Sequence, residues 1–154
     1  MVRRMRSRRA WSYAVVTAGL LSCAPQTAAS PPVAPTSAPI VKDADVTGTW
    51  IGDYRCPQGK TGLRLTVEQH STGVVSGTFE FFPVPENPSV PMGSFAMMGS
   101  IENRRLTLAG GSWIQRPPGY ETVGLSGEIA PDGESYTGKV QNPDCGSFAL
   151  RRSH

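Results

Sequence analysis

Residues 73–81 read GVVSGTFEF, and their apolar members recur at every second position. Val75, Gly77, Phe79 and Phe81 share one face of an extended chain, while most of the residues between them are polar. A period of two is typical of a strand with one face in a core and the other in water. This stretch therefore predicts a half-buried β-strand.

The same period continues on both sides of this stretch, and no segment of helical period competes with it. It predicts an all-β domain over residues 45–154 with eight strands. The predicted strands are Val46–Tyr54, Leu63–Gln69, Gly73–Phe81, Ser94–Ile101, Arg105–Ile114, Glu121–Ile129, Ser135–Gln141 and Gly146–Arg152.

Glycine recurs on the apolar face of five of these strands. A glycine inside a strand weakens a flat sheet, but it suits a sheet that coils sharply and leaves room inside a small barrel. The inward positions are Gly48, Gly77, Gly99, Gly127 and Gly138. In the fifth strand, Gly110-Gly111 predicts a bulge that redirects Trp113.

The connections between the strands alternate in length. Those after the first, third, fifth and seventh strands are long or proline-rich (55–62, 82–93, 115–120 and 142–145), and the others are short (71–72, 102–104 and 130–134). In an up-and-down barrel, alternate connections lie at opposite ends. The sequence thus predicts an eight-stranded antiparallel up-and-down barrel with its long loops at one end, here called the mouth. An open two-sheet sandwich is the alternative.

Two of the three cysteines flank the predicted closing seam. Cys56 follows the first strand and Cys145 precedes the eighth, so antiparallel pairing of those strands places both at the mouth. In an oxidising compartment such a pair forms a disulfide. We therefore expect a Cys56–Cys145 bridge that closes the barrel.

The N-terminal segment has the pattern of an export signal. Arginine-rich residues 1–9 precede the apolar stretch Trp11–Leu21, which is too short to span a bilayer as a helix. Leu20-Leu21-Ser22-Cys23 resembles the lipobox of bacterial lipoproteins. The resemblance implies that residues 1–22 are a lipoprotein signal peptide and that Cys23 is lipidated. Cleavage after Ala29, which would discard Cys23, is the alternative.

Such a lipid would anchor the chain in the outer or plasma membrane of a bacterial cell envelope, with the domain outside the cytoplasm. Residues 23–44 are rich in proline and alanine and contain no aromatic residue, which is typical of a linker. This linker would hold the other end of the barrel, here called the tethered end, towards the membrane. Ser7-Arg8-Arg9-Ala10-Trp11 also resembles the twin-arginine export motif, and a merely basic signal is the alternative.

Charge and composition argue against several classes of function. From residue 23 onward there are 10 basic and 12 acidic residues, a net charge of −2 that does not favour nucleic-acid binding. The histidines are His70 and the terminal His154, and there is neither a Cys-x-x-Cys pair nor a Gly-x-Ser-x-Gly elbow. We accordingly expect no metal, no cofactor and no catalytic activity.

Gly48-Thr49-Trp50 resembles the Gly-x-Trp opening of the lipocalin and avidin type of eight-stranded barrel, over residues 46–152. The resemblance implies a barrel that binds something at its open mouth. The later motifs of those families, including a recognisable biotin site, are not evident in the chain.

The predicted binding residues belong to the mouth. Trp113, Arg116 and Tyr120 offer aromatic area and a planar cation beside Pro117-Pro118-Gly119, and these residue types dominate recognition surfaces. The alternative is a rigid loop with Tyr120 packed across the mouth. The rim is expected to include Arg55 and, from the four-proline loop Phe82–Met92, Glu86 and Asn87.

Three functions fit this site. The first is binding of a small apolar or amphipathic ligand against Trp50, Phe95, Trp113 and Tyr120. The second is a protein-binding module, such as an inhibitor of an envelope or host hydrolase, that uses the proline loop. The third is a structural role in the envelope.

Overall fold

The computed structural model describes residues 44–70 and 73–154. The predicted signal peptide, Cys23 and the linker as far as Asp43 lie outside the described residues, as does the predicted turn at Ser71-Thr72. The described residues form eight β-strands and no helix. The strands are β1 (Gly48–Cys56), β2 (Gly59–Gln69), β3 (Val74–Phe82), β4 (Gly93–Glu102), β5 (Arg105–Gln115), β6 (Gly124–Ile129), β7 (Ser135–Gln141) and β8 (Ser147–Ser153).

The eight strands form one closed barrel in sequence order, and every neighbouring pair is antiparallel. β1 closes the barrel against β8, with Thr49 opposite Ser153 and Tyr54 opposite Phe148. The predicted up-and-down barrel is thus confirmed, and the open sandwich is excluded.

The predicted disulfide is also confirmed. Cys56 ends β1 and Cys145 precedes β8, and the two residues are bonded with their Cα atoms 4.0 Å apart across 89 positions of sequence. The bridge lies beside the β1–β8 pairing at the mouth, where it fastens the closing seam.

The connection between β1 and β2 differs from the prediction. Instead of a long loop over 55–62, only Pro57 and Gln58 separate the two strands. Gly59 accommodates this tight turn with a φ of +99°. The alternation of large apolar side chains does not mark the start of β2, because residues 59–62 are Gly-Lys-Thr-Gly.

Two other mouth loops, 83–92 and 116–123, remain longer than the connections 103–104 and 130–134 at the tethered end, whereas the mouth loop 142–146 has the same length as 130–134. One boundary changes here: β6 begins at Gly124, so the predicted strand residues 121–123 belong to the mouth loop.

The inward glycines allow neighbouring strands to approach closely. A Cβ atom on Gly99 would overlap the carbonyl oxygen of Thr107, and one on Gly127 would overlap that of Thr137. The sheet therefore coils sharply, as predicted. At four of the five positions the expected room is filled by the backbone of the adjacent strand, whereas at Gly48 the nearest atom belongs to the Arg152 side chain.

The predicted bulge in β5 is present. Met97 faces Gly110 and Phe95 faces Trp113, so β5 carries an extra residue between those two pairs. The shift brings the Trp113 ring to within 5.2 Å of the Phe95 ring, between centroids.

The tethered end is closed by Trp50, which is fully buried. Its indole N–H donates to the carbonyl oxygen of Val46 at 3.0 Å, and the guanidinium of Arg152 lies 4.3 Å from its ring centroid. The expectation that Trp50 contributes to the mouth is therefore wrong. Trp50 is the third residue of β1, and β1 starts at the tethered end.

Candidate functional site

The mouth contains a pocket of about 370 Å³. It lies among the ends of β1, β3 and β4, the loop after β5 and the loop before β8. Its walls are mainly aromatic and its rim is polar. The residues lining it include Tyr54, Phe79, Phe81, Phe95, Tyr120 and Val123 in the walls, and Cys56, Gln58, Glu121, Asn142, Asp144 and Cys145 nearer the rim.

Alternate, inward-facing residues of β1, β3 and β4 form most of the aromatic wall, and Tyr120 from the loop after β5 completes it. Phe79 of β3 stacks on Phe95 of β4 with ring centroids 4.6 Å apart, and Tyr54 of β1 meets Phe79 edge to face at 5.4 Å. Tyr120 stacks on Phe81 at 5.2 Å. Such a wall favours apolar and aromatic ligand groups.

Tyr120 is placed by a tight turn. Its backbone N–H donates to the carbonyl oxygen of Pro117 at 3.4 Å, and Gly119 has a φ of +79°. Proline followed by a glycine of positive φ is the sequence preference of a type II turn. The chain after β5 is thereby folded back towards the mouth, where Tyr120 is half-buried against Phe81.

The hydroxyl of Tyr54 is a polar group within the aromatic wall. It accepts a hydrogen bond from the Gln58 amide at 3.2 Å. Burial raises the pKa of Tyr54 well above its ordinary value, and hydrogen bonds with Thr61 and Gln58 offset only part of that rise. The hydroxyl therefore stays uncharged at physiological pH.

The disulfide forms part of the pocket lining, and it positions the loop before β8. The backbone N–H of Cys145 donates to the carbonyl oxygen of Asn142 at 3.1 Å, and that of Gly146 donates to the carbonyl oxygen of Arg55 at 2.8 Å. The Asn142 side chain accepts from the Asp144 N–H at 3.0 Å. These bonds hold Asn142 and Asp144 at the rim.

Three of the predicted binding residues lie together at the mouth. Tyr120 lines the pocket, while Trp113 packs behind the lining, edge to face against Phe81 and Phe95. Arg116 lies over the outer side of Trp113, with its guanidinium carbon 5.9 Å from the ring centroid. Trp113 and Tyr120 are both half-buried, so each combines packing with some remaining exposure.

The other three predicted residues lie at the mouth but do not line the pocket. Arg55 is exposed at the end of β1, and Glu86 is exposed with its carboxylate 3.4 Å from the ammonium of Lys60. A hydrogen bond from Glu86's own backbone N–H, followed by the contact with Lys60, lowers the pKa of that carboxyl. Neither residue approaches the aromatic wall closely enough to be part of it.

Asn87 fastens the proline loop to the β1–β2 turn. Its amide nitrogen donates to the carbonyl oxygens of Gln58 at 2.6 Å and Lys60 at 3.1 Å. Its backbone N–H donates to the carbonyl oxygen of Val84 at 2.8 Å, and Val90 of the same loop is buried in the core. The loop is thus held against the barrel by polar and apolar contacts. Among the described residues that line the pocket, none comes from 83–92.

Sequence reasoning missed Gln58, Asn142 and Val123 as lining residues. The sequence pattern predicts a long loop at Gln58, which lies in a two-residue turn. It predicts a strand at Val123, which lies in the loop before β6. Tyr54, Phe79 and Phe81 carried a usable signal, since each is an inward-facing aromatic residue near the mouth end of its strand. Two further depressions, on outer surfaces of the barrel, have no aromatic residue in their lining.

Neither protein-family models nor curated proteins yield a match to this chain. Within residues 44–70 and 73–154, no group of three or more His, Cys, Asp or Glu side chains is arranged to hold a metal ion. The same residues include no helix long and apolar enough to cross a membrane.

Proposed function

We propose that the protein is a non-catalytic lipoprotein of the bacterial cell envelope that binds a small apolar or amphipathic ligand in the mouth of its barrel. The observation that carries this proposal is the pocket of about 370 Å³, which has five aromatic residues in its walls and polar residues at its rim. Its volume falls within the range of roughly 300–1,000 Å³ typical of small-molecule sites.

The position of the pocket also supports this function. The tethered end is sealed by Trp50 and Arg152, and the middle of the barrel is filled by fully buried side chains such as Leu65, Leu108 and Leu125. The pocket is thus at the mouth, where core residues of the barrel form its floor.

The binding test uses the neutral fluorophore N-phenyl-1-naphthylamine, whose emission rises when it leaves water for an apolar site. The purified protein should bind it in detergent-free buffer at one site. Tyr120→Ala removes a ring from the wall and should weaken binding by about tenfold, equivalent to about 1.4 kcal/mol. The fold should survive because Tyr120 belongs to a loop.

The matched control is Asp132→Ala, in the 130–134 connection at the tethered end. It should bind the fluorophore as the unmodified protein does. Absence of saturable binding by the unmodified protein would overturn the proposed function. Loss of binding in Asp132→Ala together with retention in Tyr120→Ala would place the site at the wrong end of the barrel.

The lipid anchor is tested separately. Cys23→Ala should abolish partitioning of the protein into detergent and leave uncleaved precursor, because the modified thiol would be missing. If the variant instead matures normally and begins near Ser30, the signal is an ordinary one and the lipoprotein proposal is wrong.

A second function is favoured by one observation, the fixed conformation of the proline loop. Asn87 and Val90 hold this loop in place, and Met92 at its end is 63% exposed. A preordered loop loses little entropy when it enters a partner's cleft. A protein partner, such as an envelope or host hydrolase, is therefore the alternative, and Met92→Ala would weaken binding of that partner without affecting the fluorophore.

A further inference from the structure

The charged residues that line the pocket are all acidic. Glu121 and Asp144 contribute to its lining, and none of the described lining residues is Lys, Arg or His. The cationic groups of the mouth do not line the pocket, and Arg55 is exposed at the end of β1. Lys60 contacts both Asp53 and Glu86, and Arg116 lies over Trp113, which is behind the wall.

The aromatic wall, like these carboxylates, attracts positive charge. The faces of aromatic rings carry partial negative charge and attract organic cations, most strongly where water is excluded. Tyr54, Phe79, Phe81, Phe95 and Tyr120 gather five such rings around one pocket. Phe79 and Phe95 stack on each other and are fully buried, so the ring with the most exposed surface in this wall is the half-buried Tyr120.

An anionic ligand would meet the opposite conditions. Its charge would lose hydration beside the rings, without a basic lining residue to replace the lost water. The Tyr54 hydroxyl is already hydrogen-bonded with Gln58 and Thr61, and it provides no positive charge. The lining of the pocket therefore disfavours anions, in addition to favouring apolar over polar groups.

We propose that the ligand of the mouth is an organic cation, with an apolar body against the aromatic wall and an ammonium group between Tyr120 and the rim carboxylates of Glu121 and Asp144. This inference rests on the proposed function, because it specifies the chemical class of ligand bound at that same pocket. Quaternary and tertiary amines fit it best, since they are attracted to ring faces and are only weakly held by water.

The test compares three probes of similar size that differ in charge. Benzyltrimethylammonium is the cation, neopentylbenzene its neutral isostere and 3-phenylpropionate the anion. Each competes with N-phenyl-1-naphthylamine for the purified protein at low ionic strength. The cation should bind at least about fivefold more tightly than the neutral isostere, as a cation–π contact of ordinary strength gives. The anion should bind most weakly.

Substitution at the rim then identifies the source of the preference. Glu121→Gln combined with Asp144→Asn should reduce the ratio of the affinity for benzyltrimethylammonium to that for neopentylbenzene at least twofold. The matched control is Glu102→Gln, which removes an exposed acid at the tethered end and should leave the ratio as it is.

The outcomes separate this inference from the proposed function. If the fluorophore binds but the cation binds no better than the neutral isostere, or the anion binds best, the charge preference is wrong and the ligand site stands. An unchanged ratio in the rim double variant overturns the role of the two carboxylates. If the fluorophore itself does not bind, both proposals fail together.

Discussion

Arg152 links three segments of the chain at the tethered end. Its Nη1 and Nη2 atoms each donate to a carbonyl oxygen at 2.7 Å, that of Thr47 and that of Asp45, and its Nε donates to the carbonyl oxygen of Gly133 at 3.0 Å. The same guanidinium covers the ring of Trp50. A planar fork with several N–H donors can make all of these contacts at once, whereas a lysine ammonium cannot reproduce the geometry.

Replacing this side chain should destabilise the fold without affecting the mouth. Arg152→Ala should lower the free energy of unfolding by about 2–4 kcal/mol, because three hydrogen bonds and a cation–π contact are lost. Arg152→Lys should recover less than half of that loss. Urea denaturation measures both values, and the affinity for N-phenyl-1-naphthylamine should stay within about twofold because the pocket lies at the opposite end.

Arg151→Ala is the control for the loss of an arginine from the same strand. Arg151 is exposed, and its replacement should change stability by about 0.5 kcal/mol or less. If Arg152→Ala proves no more destabilising than Arg151→Ala, Arg152 does not hold the tethered end together.

At the scale of the strands, the inward glycines determine how tightly the sheet coils. Neighbouring backbones occupy the space in which a Cβ would stand, at Gly99 against Thr107 and at Gly138 against Ser126. These are contacts with backbone atoms, which cannot move aside as a flexible side chain can. The closed barrel therefore depends on glycine at these positions for steric reasons rather than for conformational freedom.

A single methyl group tests this dependence. Gly99→Ala should destabilise the protein by at least about 2 kcal/mol, because β4 and β5 would have to separate to admit it. In the control, Gly146→Ala, the new Cβ would meet Arg55 at an ordinary contact distance of 3.7 Å, and stability should change little. Thermal unfolding of the two variants gives the comparison, and equal stability would contradict the close-approach account.

The sequence predicted the number of strands because the alternation of apolar and polar residues depends on local spacing. It predicted the closing seam and the disulfide because two cysteines lie next to the first and last predicted strands. It did not predict the two-residue turn at Pro57 and Gln58, since Gly59 and Gly62 leave the start of β2 without an apolar signal. The contact of Asn87 with that turn could not be predicted either. It joins residues 29 positions apart, and no sequence pattern marks the Asn87 amide as the group that joins them.

The barrel has two different ends joined by a filled interior. Hydrogen bonds and the covered Trp50 seal the tethered end, while the mouth combines a disulfide, two longer loops and the aromatic pocket. The disulfide serves both the fold and the site, since it fastens β1 to the start of β8 and its cysteines line the pocket.

Removal of the bridge should therefore affect both stability and binding. The double variant Cys56→Ser, Cys145→Ser should lose about 2–5 kcal/mol of unfolding free energy, because the bridge closes a long loop of chain. It should also bind N-phenyl-1-naphthylamine more weakly than the oxidised protein does. Guanidinium denaturation and fluorescence titration measure the two effects, and alkylation of two free thiols in the native protein would contradict the bridge itself.

Binding at the mouth is the claim on which the ligand predictions depend, and mapping of amide chemical-shift changes tests it residue by residue. The ¹⁵N-labelled protein is titrated with N-phenyl-1-naphthylamine, and perturbed amides are assigned along the chain. The structure predicts that the largest changes fall on residues 54–58, 119–123 and 142–145, with little change at 102–105 and 130–134. Changes concentrated on the second group, or spread evenly over the outer face of the barrel, would contradict the claim.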